Sequence, residues 1–170
     1  RLFFRFASAV INRHGIVYVV EKADNPVGYA TLMRDDDKRQ ISLPRIVRAG
    51  ALAPALRFLS SMRPTQLISM RHFEHALAGY HASRSYPSAS LHLYYTGVDP
   101  AYRGQGIMRR AFATLDALLA HEGYRSYHLE TTDSANLPVY ERFGLEQSDK
   151  SVVSLGKESR SVWFFTRRLV

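Results

Sequence analysis

Cysteine is absent from the 170-residue sequence. Its absence excludes disulfide bonds, thiolate metal sites and an acyl-cysteine intermediate, and it favours an intracellular, cytoplasmic location. The chain also lacks repeats, low-complexity tracts and any apolar run long enough to span a bilayer, so we expect no membrane partner. Arg5 interrupts the apolar first residues, which argues against a signal peptide. We expect a single domain over residues 1–170, and the missing initial methionine suggests a start inside a longer gene product.

Acidic residues are scarce relative to basic ones. Asp and Glu number 15 against 23 for Lys and Arg, which gives a formal net charge of +8. Such an excess indicates an anionic partner, and a phosphorylated cofactor, RNA or an acidic membrane satisfies the charge equally well; a solvated basic surface is a further interpretation. Aromatic and basic residues are not interleaved on one predicted strand, so nucleic acid is the less favoured partner.

The hydrophobic pattern predicts strands and helices in alternation along the chain. Strands are predicted at 16–20, 27–33, 91–98, 124–132, 151–155 and 162–166, and helices at 2–11, 43–59, 67–80, 107–121 and 136–144. Pro54 is predicted to break or kink the second helix. The strand, helix and strand of 91–132 imply a parallel pair with a right-handed crossover, whereas the outer strands suit antiparallel hairpins. The predicted fold class is α/β, with a mixed sheet that is antiparallel at its ends and parallel at its centre.

Residues 41–89 form a predicted helical insertion with several arginines. Four roles are open: a substrate lid, a dimerisation surface, a nucleic-acid contact, or two helices that cover a sheet edge with solvated arginines, which is the favoured one. Two metal hypotheses fail on spacing. The acidic run at 35–37 lacks the calcium-loop pattern, and His72 with His75 lacks a third ligand nearby. We therefore predict no metal site.

The stretch from Val98 to Ile107 joins a strand to a helix through Arg103, Gly104 and Gly106. The first amides of a helix have no intrahelical partner, the helix dipole is positive there, and glycine lets the backbone approach a ligand closely. The arginine adds a forked positive charge for the same anion. The stretch therefore predicts a phosphate-binding turn.

Two motifs together resemble a known family. The first is Val98-Asp-Pro-Ala-Tyr-Arg-Gly-Gln-Gly-Ile107, and the second is Asn136-Leu-Pro-Val-Tyr-Glu-Arg-Phe-Gly-Leu-Glu146. They look like the cofactor-side motifs of the GNAT superfamily of acyl-CoA N-acyltransferases. The resemblance implies a GNAT-like fold whose central parallel strands splay at an acetyl-CoA cleft, present here from its second helix to its last strand. The long insertion is similar to that of the branch containing puromycin-type acetyltransferases.

The resemblance also implies acetyl-CoA as cosubstrate and a set of residues that bind it. Amides of the turn hold the pyrophosphate, amides at the end of the preceding strand hold the acetyl carbonyl, and Asn136 contacts the pantetheine. The implied cofactor-binding residues are Thr96, Gly97, Val98, Arg103, Gly104, Gln105, Gly106, Ile107, Met108 and Asn136. Gly97 suits a bulge that frees the strand amides. Met108 departs from the usual Gly or Ala of the family, and its helical spacing predicts a side chain in the core.

Tyr140 and His92 are the catalytic residues that the resemblance implies. Tyr140 lies four residues after Asn136 on one helix face, beside the sulfur in the family, and a phenol of pKa about 10 suits protonation of a thiolate. His92 occupies the strand position at which arylalkylamine acetyltransferases of the same superfamily carry a histidine base, on the same side as Tyr94, a candidate pocket wall. Glu130 or a water chain is the alternative base.

The function predicted from the resemblance is N-acetyl transfer from acetyl-CoA to a primary amine of a small molecule or peptide, directly and in a ternary complex. An aromatic or modestly apolar amine is favoured, and a homodimer is an open alternative. A dinucleotide-binding oxidoreductase is a second hypothesis, because two glycines follow a strand and Glu130 ends the next one; against it, Arg109 occupies the third glycine position. A non-catalytic module that binds RNA or protein is a third.

Overall fold

The computed structural model describes residues 15–34, 43–82, 86, 89–155 and 158–169. Its strands are β1 (Ile16–Lys22), β2 (Asn25–Arg34), β3 (Ser90–Val98), β4 (Ser126–Thr131), β5 (Glu146–Leu155) and β6 (Glu158–Arg168). Its helices are α1 (Leu43–Arg48), α2 (Leu52–Ser60), α3 (Pro64–Ala82), α4 (Ile107–His121) and α5 (Leu137–Arg142), with short 3₁₀ turns at Pro100–Tyr102 and Ser134–Asn136. The predicted helix at 2–11 and the acidic run at 35–37 lie outside the described residues.

The six strands form one mixed sheet in the order β1-β2-β3-β4-β6-β5. Only the central pair, β3 and β4, is parallel, and α4 makes the crossover between these two strands. The pairs on either side are antiparallel, as the short connections between β1 and β2 and between β5 and β6 require. The predicted α/β class and sheet arrangement are confirmed.

The central parallel strands separate after three residue pairs. Ser90, Leu91 and His92 pair with residues 126–128, whereas β3 continues to Val98 without further register partners on β4 among the described residues. β4 meanwhile stays paired with β6 up to Thr131. The carboxyl ends of β3 and β4 therefore diverge and leave an opening between the two central strands, as the resemblance implied.

The irregularity in β3 lies at Tyr94 and not at Gly97. Thr31 of β2 faces Tyr95, but its neighbour Leu32 faces Leu93, so Tyr94 is the extra residue. Gly97 pairs regularly with Tyr29. The prediction of a bulge at Gly97 is therefore wrong. A different constraint favours glycine at this position, because a Cβ there would lie 3.3 Å from the Tyr29 ring.

Alternation along β3 and β4 divides apolar from polar side chains. Odd-numbered residues such as Leu91 and Tyr127 pack against α4 in the main core. That core contains Ala30, Leu32, Leu91, Leu93, Phe112, Leu115, Leu119, Tyr127, Leu129, Leu145 and Phe165. Even-numbered residues of the same strands lie on the opposite face, where Ser90, His92, Ser126 and His128 are also buried. The sheet thus has an aliphatic face and a polar face that meet at the central opening.

A hydrogen-bonded network fixes α5 to the sheet. Arg167 of β6 donates to Asp116 of α4 through Nε at 3.0 Å and Nη2 at 2.8 Å, and to the carbonyl of Gly144 through Nη1 at 2.7 Å. The Tyr127 hydroxyl donates to the same aspartate at 2.9 Å. Gly144 has φ +79°, and a Cβ there would collide with the guanidinium, so only glycine fits. The turn that follows α5 is held against the core by this network.

The insertion begins as a helical hairpin and ends as a long helix. The chain breaks between α1 and α2 at Gly50, with φ +64°, whereas Pro54 sits inside the first turn of α2, where its missing N–H is tolerated. The break predicted at Pro54 is therefore wrong. Helix α3 packs through Phe73 on a cluster of Val153, Val162 and Phe164 at the β5 end of the sheet. No helix in the described part of the chain is long and apolar enough to cross a membrane.

Candidate active site

The turn that joins β3 to α4 is shaped by one aspartate and two glycines. Asp99 accepts a hydrogen bond from the amide of Ala101 at 2.8 Å and starts a single 3₁₀ turn. Gly104 and Gly106 follow with φ of +75° and +70°, in the left-handed region that glycine adopts without strain. Gly106 is the N-cap of α4, and no described atom lies within 4 Å of where a Cβ on Gly104 would be. The space beside Gly104, just before the first amides of α4, is therefore open.

Side chains brace this turn against β1. Gln105 accepts from Lys22 Nζ at 2.8 Å and donates to the carbonyl of Ala101 at 3.4 Å. Lys22 also lies 5.6 Å from the centre of the Tyr102 ring. Arg103 and Arg110 are exposed at the same end of the helix. The predicted phosphate-binding turn thus combines free helix amides with a lysine and two arginines, the chemistry that an anionic ligand needs.

Met108, the departure from the family pattern, points away from the turn. Its side chain packs against the main core beside residues such as Phe112, and Ile107 is buried next to it. The predicted core position of the Met108 side chain is confirmed. The bulk of the thioether therefore does not occupy the space above the turn, and the amide of residue 108 stays in the first turn of the helix.

Asn136 follows the carboxyl end of β4 and lies at the N-cap position of α5, which asparagine often occupies. It has helical backbone angles, and no side-chain capping bond is formed; its Nδ2 donates instead to Thr131 Oγ1 at 3.2 Å. The same hydroxyl accepts from the amide of Asp133 at 3.2 Å, while the Asp133 carboxylate accepts from the amide of Ala135 at 3.0 Å. The loop after β4 is therefore ordered by Thr131 and Asp133, and the carboxamide oxygen of Asn136 is left for other contacts.

Tyr140 is half-buried at the same edge of the sheet. Its ring meets Phe165 edge-to-face, with centroids 5.4 Å apart. Burial raises the pKa of the Tyr140 hydroxyl, and the negative charges of Asp133 and Glu130 raise it further. A raised pKa keeps the phenol protonated at neutral and moderately alkaline pH. Tyr140 therefore carries a proton that it can donate, and the charge of Glu130 acts on its hydroxyl electrostatically.

His92 and Glu130 form an ion-pair contact across the central strands. His92 Nε2 lies 2.7 Å from Glu130 Oε2, and the exposed fractions of the two side chains are 5 % and 17 %. The histidine is therefore enclosed, and the carboxylate is the more accessible partner. A carboxylate on one imidazole nitrogen orients the ring. The two residues that the sequence analysis treated as alternative bases are thus one unit.

A column of rings continues from this pair along the polar face. The His92 ring lies 4.1 Å from that of Tyr94 and 4.8 Å from that of His128, and His128 stacks on Tyr86 at 4.1 Å. Ser90 Oγ lies 3.5 Å from His128 Nδ1 and accepts from the Ser126 hydroxyl at 3.1 Å. Sequence reasoning missed His128, although polar residues at alternate positions on both strands were a readable signal.

The predicted site residues lie around the opening between the two central strands. Tyr140, Asn136, Glu130 and His92 gather at the splayed strands, and the turn at 103–108 follows the carboxyl end of β3 at the same edge. Thr96 bonds through its hydroxyl to the carbonyl of Tyr29 at 3.2 Å, so only its backbone faces a ligand.

A cavity of about 370 Å³ lies between α4 and strands β1 and β2. It includes Thr96, Ile107 and Met108 but neither His92 nor Tyr140. Among the described residues, no cluster of three or more His, Asp or Glu is arranged to hold a metal ion. The cavity is therefore separate from the contact between His92 and Glu130 and from the Tyr140 hydroxyl.

Comparison with known proteins identifies the family. The model of the acetyltransferase (GNAT) family matches residues 1–145. No curated protein sequence matches the chain. Solved structures with the same fold include the ribosomal-protein-S18-alanine N-acetyltransferase of Escherichia coli, with TM-score 0.54 and 14 % identity over 98 % of this chain and 76 % of that one.

Two other solved structures are similar to this chain to about the same degree. The Drosophila melanogaster polyamine N-acetyltransferase, which forms N-acetylagmatine, has TM-score 0.53 and 15 % identity over 90 % of this chain and 74 % of its own. A GNAT-family acetyltransferase from Elizabethkingia anophelis, solved with acetyl-CoA bound, has TM-score 0.53 and 9 % identity over 94 % of this chain and 79 % of its own. At these identities the likeness establishes the fold.

Proposed function

The chain belongs to the acetyltransferase (GNAT) family, which uses acetyl-CoA as cosubstrate, and from this premise we propose that it transfers the acetyl group directly to a primary amine of a small molecule or peptide in a ternary complex. The observation that carries the proposal is the group of Glu130, His92 and Tyr140 at the opening between β3 and β4. A base unit and a protonated phenol at one opening are what acyl transfer to an amine requires. The sequence has no cysteine to carry the acetyl group covalently.

The cofactor is held at its phosphates by the turn before α4. The amides of residues 103–108 bind the pyrophosphate, the positive end of the α4 dipole favours its charge, and Arg103 contributes a guanidinium. The left-handed angles of Gly104 and Gly106 and the open space beside Gly104 support this assignment. Acetyl-CoA then runs from this turn into the gap between the parallel strands.

The acetyl end lies along the unpaired part of β3. Beyond His92, β3 has no register partner on β4 in the described structure, so amides of Thr96, Gly97 or Val98 that point into the gap are available to the thioester carbonyl and to the oxyanion of the tetrahedral intermediate. On the other side of the gap, the carboxamide oxygen of Asn136 accepts from a pantetheine amide. These contacts orient the thioester between the two strands.

The amine loses its proton to the pair of Glu130 and His92. Glu130 is the more accessible partner, so its carboxylate meets the ammonium group, and the pair takes up one proton, which the carboxylate and the imidazole share across their 2.7 Å contact. The neutral amine attacks the thioester carbon, the C–S bond breaks, and the departing thiolate takes the proton of the Tyr140 hydroxyl. The proton that the nitrogen loses as the amide forms returns to the Tyr140 phenolate, so the hydroxyl is restored. Sequence analysis ranked His92 ahead of Glu130; burial favours the two acting together, with the carboxylate in front.

The acceptor carries a primary amine beside a flat or modestly apolar group. The half-buried ring of Tyr94, next to His92 in the column of rings, supports this choice, because an aromatic face packs well against a flat substituent. Comparing phenylalkylamines, agmatine and short peptides as acceptors tests it. The phenylalkylamine is expected to have the highest kcat/KM.

Thiol release from acetyl-CoA with that amine tests the base unit. His92→Gln is expected to lower kcat/KM by about a hundredfold and to remove the acidic limb of the pH profile, since an amide cannot hold the proton. Glu130→Gln should lower it comparably. The matched control is His72→Gln, an exposed histidine on α3, which should retain the wild-type profile. An unchanged acidic limb in His92→Gln would show that another group is the base.

A further inference from the structure

The helical hairpin formed by α1 and α2 buries mainly small side chains and exposes large aliphatic ones, which is the reverse of the usual arrangement for a helix in water. Ala51 and Ala55 are its buried residues, and they contact Ile46, Ala49 and Phe58. A helix that packs only on a globular core normally buries its largest aliphatic side chains. Here the alanine side of α2 faces α1, and the leucines lie outside.

Large aliphatic side chains are exposed on all three helices of the insertion. Leu52, Leu56 and Leu59 recur at spacings of four and three residues, so they make one stripe along α2. The exposed large aliphatic residues of 43–68 are Val47 at 55 %, Leu52 at 43 %, Leu56 at 58 %, Leu59 at 44 % and Ile68 at 56 %. We call these five residues the aliphatic face. Five such side chains within one segment, three of them in a single stripe along α2, exceed the scattered exposure that is normal on a protein surface.

The segment of sequence that contains the aliphatic face has charges of one sign. Residues 38–73 contain no Asp or Glu, and their seven charged residues are all basic: Lys38, Arg39, Arg45, Arg48, Arg57, Arg63 and Arg71. Arg48, Arg57, Arg63 and Arg71 are exposed. The whole chain has a formal net charge of +8, so this segment concentrates most of the excess. Whatever covers the aliphatic face is therefore negatively charged at its rim and apolar at its centre.

We propose that the aliphatic face docks on the surface of an anionic lipid bilayer. A helix with aliphatic residues on one side and arginines on the other sides lies in the membrane–water interface. Its aliphatic side chains reach the boundary between headgroups and acyl chains, and its guanidinium groups bind lipid phosphates. Sequence analysis expected no membrane partner because no segment is long enough to span. Docking in the interface plane needs no spanning segment.

Two other occupants fit the chemistry less well. A second copy of the chain in a symmetric pair would bring the arginines of the two copies against each other, because the same patch lies on both sides of such an interface. RNA would satisfy the arginines, but single-stranded bases stack on aromatic rings, and the five residues of the aliphatic face carry none. Acidic phospholipid satisfies both the charge and the aliphatic side chains.

Vesicle flotation with the full chain tests the proposal. Vesicles of phosphatidylcholine containing about one third phosphatidylglycerol should bind the protein at least tenfold more tightly than pure phosphatidylcholine vesicles. Leu56→Asp should weaken binding to the anionic vesicles by about tenfold, because a carboxylate at the centre of the stripe opposes both insertion and surface charge. The matched control is Val152→Asp on β5, which adds the same charge at a similarly exposed site, 63 % against 58 %. It should bind like the wild type.

A second variant separates insertion from surface adsorption. Leu56→Trp should keep binding, and its fluorescence should shift to the blue on anionic vesicles beyond any change from Trp163, the single native tryptophan. Equal binding to neutral and anionic vesicles, or wild-type binding by Leu56→Asp, would overturn the proposal. The proposal would also be overturned if the wild type bound neither kind of vesicle and formed a dimer that the Leu56→Asp substitution dissociates. In that case a second copy of the chain would cover the aliphatic face.

Discussion

Tyr140→Phe is expected to lower kcat for acetyl transfer by about a hundredfold or more, while the Kd for acetyl-CoA changes by less than about twofold. Phenylalanine keeps the edge-to-face contact with Phe165, so the packing of α5 is preserved. The substitution removes only the hydroxyl, whose pKa is raised by burial and by the charges of Asp133 and Glu130. The variant therefore loses the proton that the departing thiolate takes, and little else. Single-turnover kinetics beside calorimetric binding separates the two quantities.

Tyr18→Phe is the matched control for this result. The Tyr18 hydroxyl donates to Glu122 at 3.0 Å, and burial together with that bond raises its pKa to about 12, but it lies at the far end of α4 from the turn. Its removal should leave kcat unchanged. Because the pKa of Tyr140 is raised, the wild-type acid form persists above pH of about 10, and no alkaline fall in kcat should come from this residue below that pH. Equal losses of kcat and of affinity in Tyr140→Phe would instead indicate a packing role.

Gly106→Val is expected to weaken acetyl-CoA binding by about a hundredfold or more. Residue 106 has φ +70°, which a β-branched residue adopts only with strain, and it is the N-cap from which the amides of α4 open. A valine either holds this conformation and covers the amides or moves the turn away from it. Both outcomes deny the pyrophosphate its close approach to the backbone. Isothermal calorimetry with acetyl-CoA measures the loss directly.

Gly50→Val separates backbone strain from cofactor binding. Gly50 has φ +64°, nearly the same conformation, but it lies in the turn between α1 and α2. Both valine variants should lower the melting temperature, and only Gly106→Val should lose the cofactor. If Gly106→Val binds acetyl-CoA as tightly as the wild type, the phosphates lie elsewhere than at the turn before α4.

The sequence carried enough information for the fold and for the glycine turn before α4. Strand and helix periods are local properties, and glycines at 104 and 106 between a strand and a helix are readable without tertiary structure. The splay of β3 and β4 came from family resemblance and is confirmed by a register that ends at His92. These features follow from short-range pattern or from motif, which is why they could be predicted.

The details that sequence reasoning missed depend on register and packing. The bulge lies at Tyr94 because β2 and β3 shift between Thr31 and Leu32, a relation that neither strand encodes alone. The contact between His92 and Glu130 depends on the relative register of two parallel strands 38 residues apart in sequence, and the stacking of His128 depends on it too. The Asn136 side chain bonds to Thr131 and makes no capping bond to α5, because a 3₁₀ turn precedes α5.

The central claim, that the turn and the splayed strands bind acetyl-CoA, is tested most directly by calorimetric titration of the full chain with acetyl-CoA, CoA, NADH and a short RNA at two salt concentrations. The account predicts saturable acetyl-CoA binding at micromolar affinity or tighter, weaker or absent binding of NADH, and no saturable binding of the RNA. Absence of acetyl-CoA binding, together with RNA binding that falls steeply as salt rises, would contradict it, because the basic charge would then serve nucleic acid.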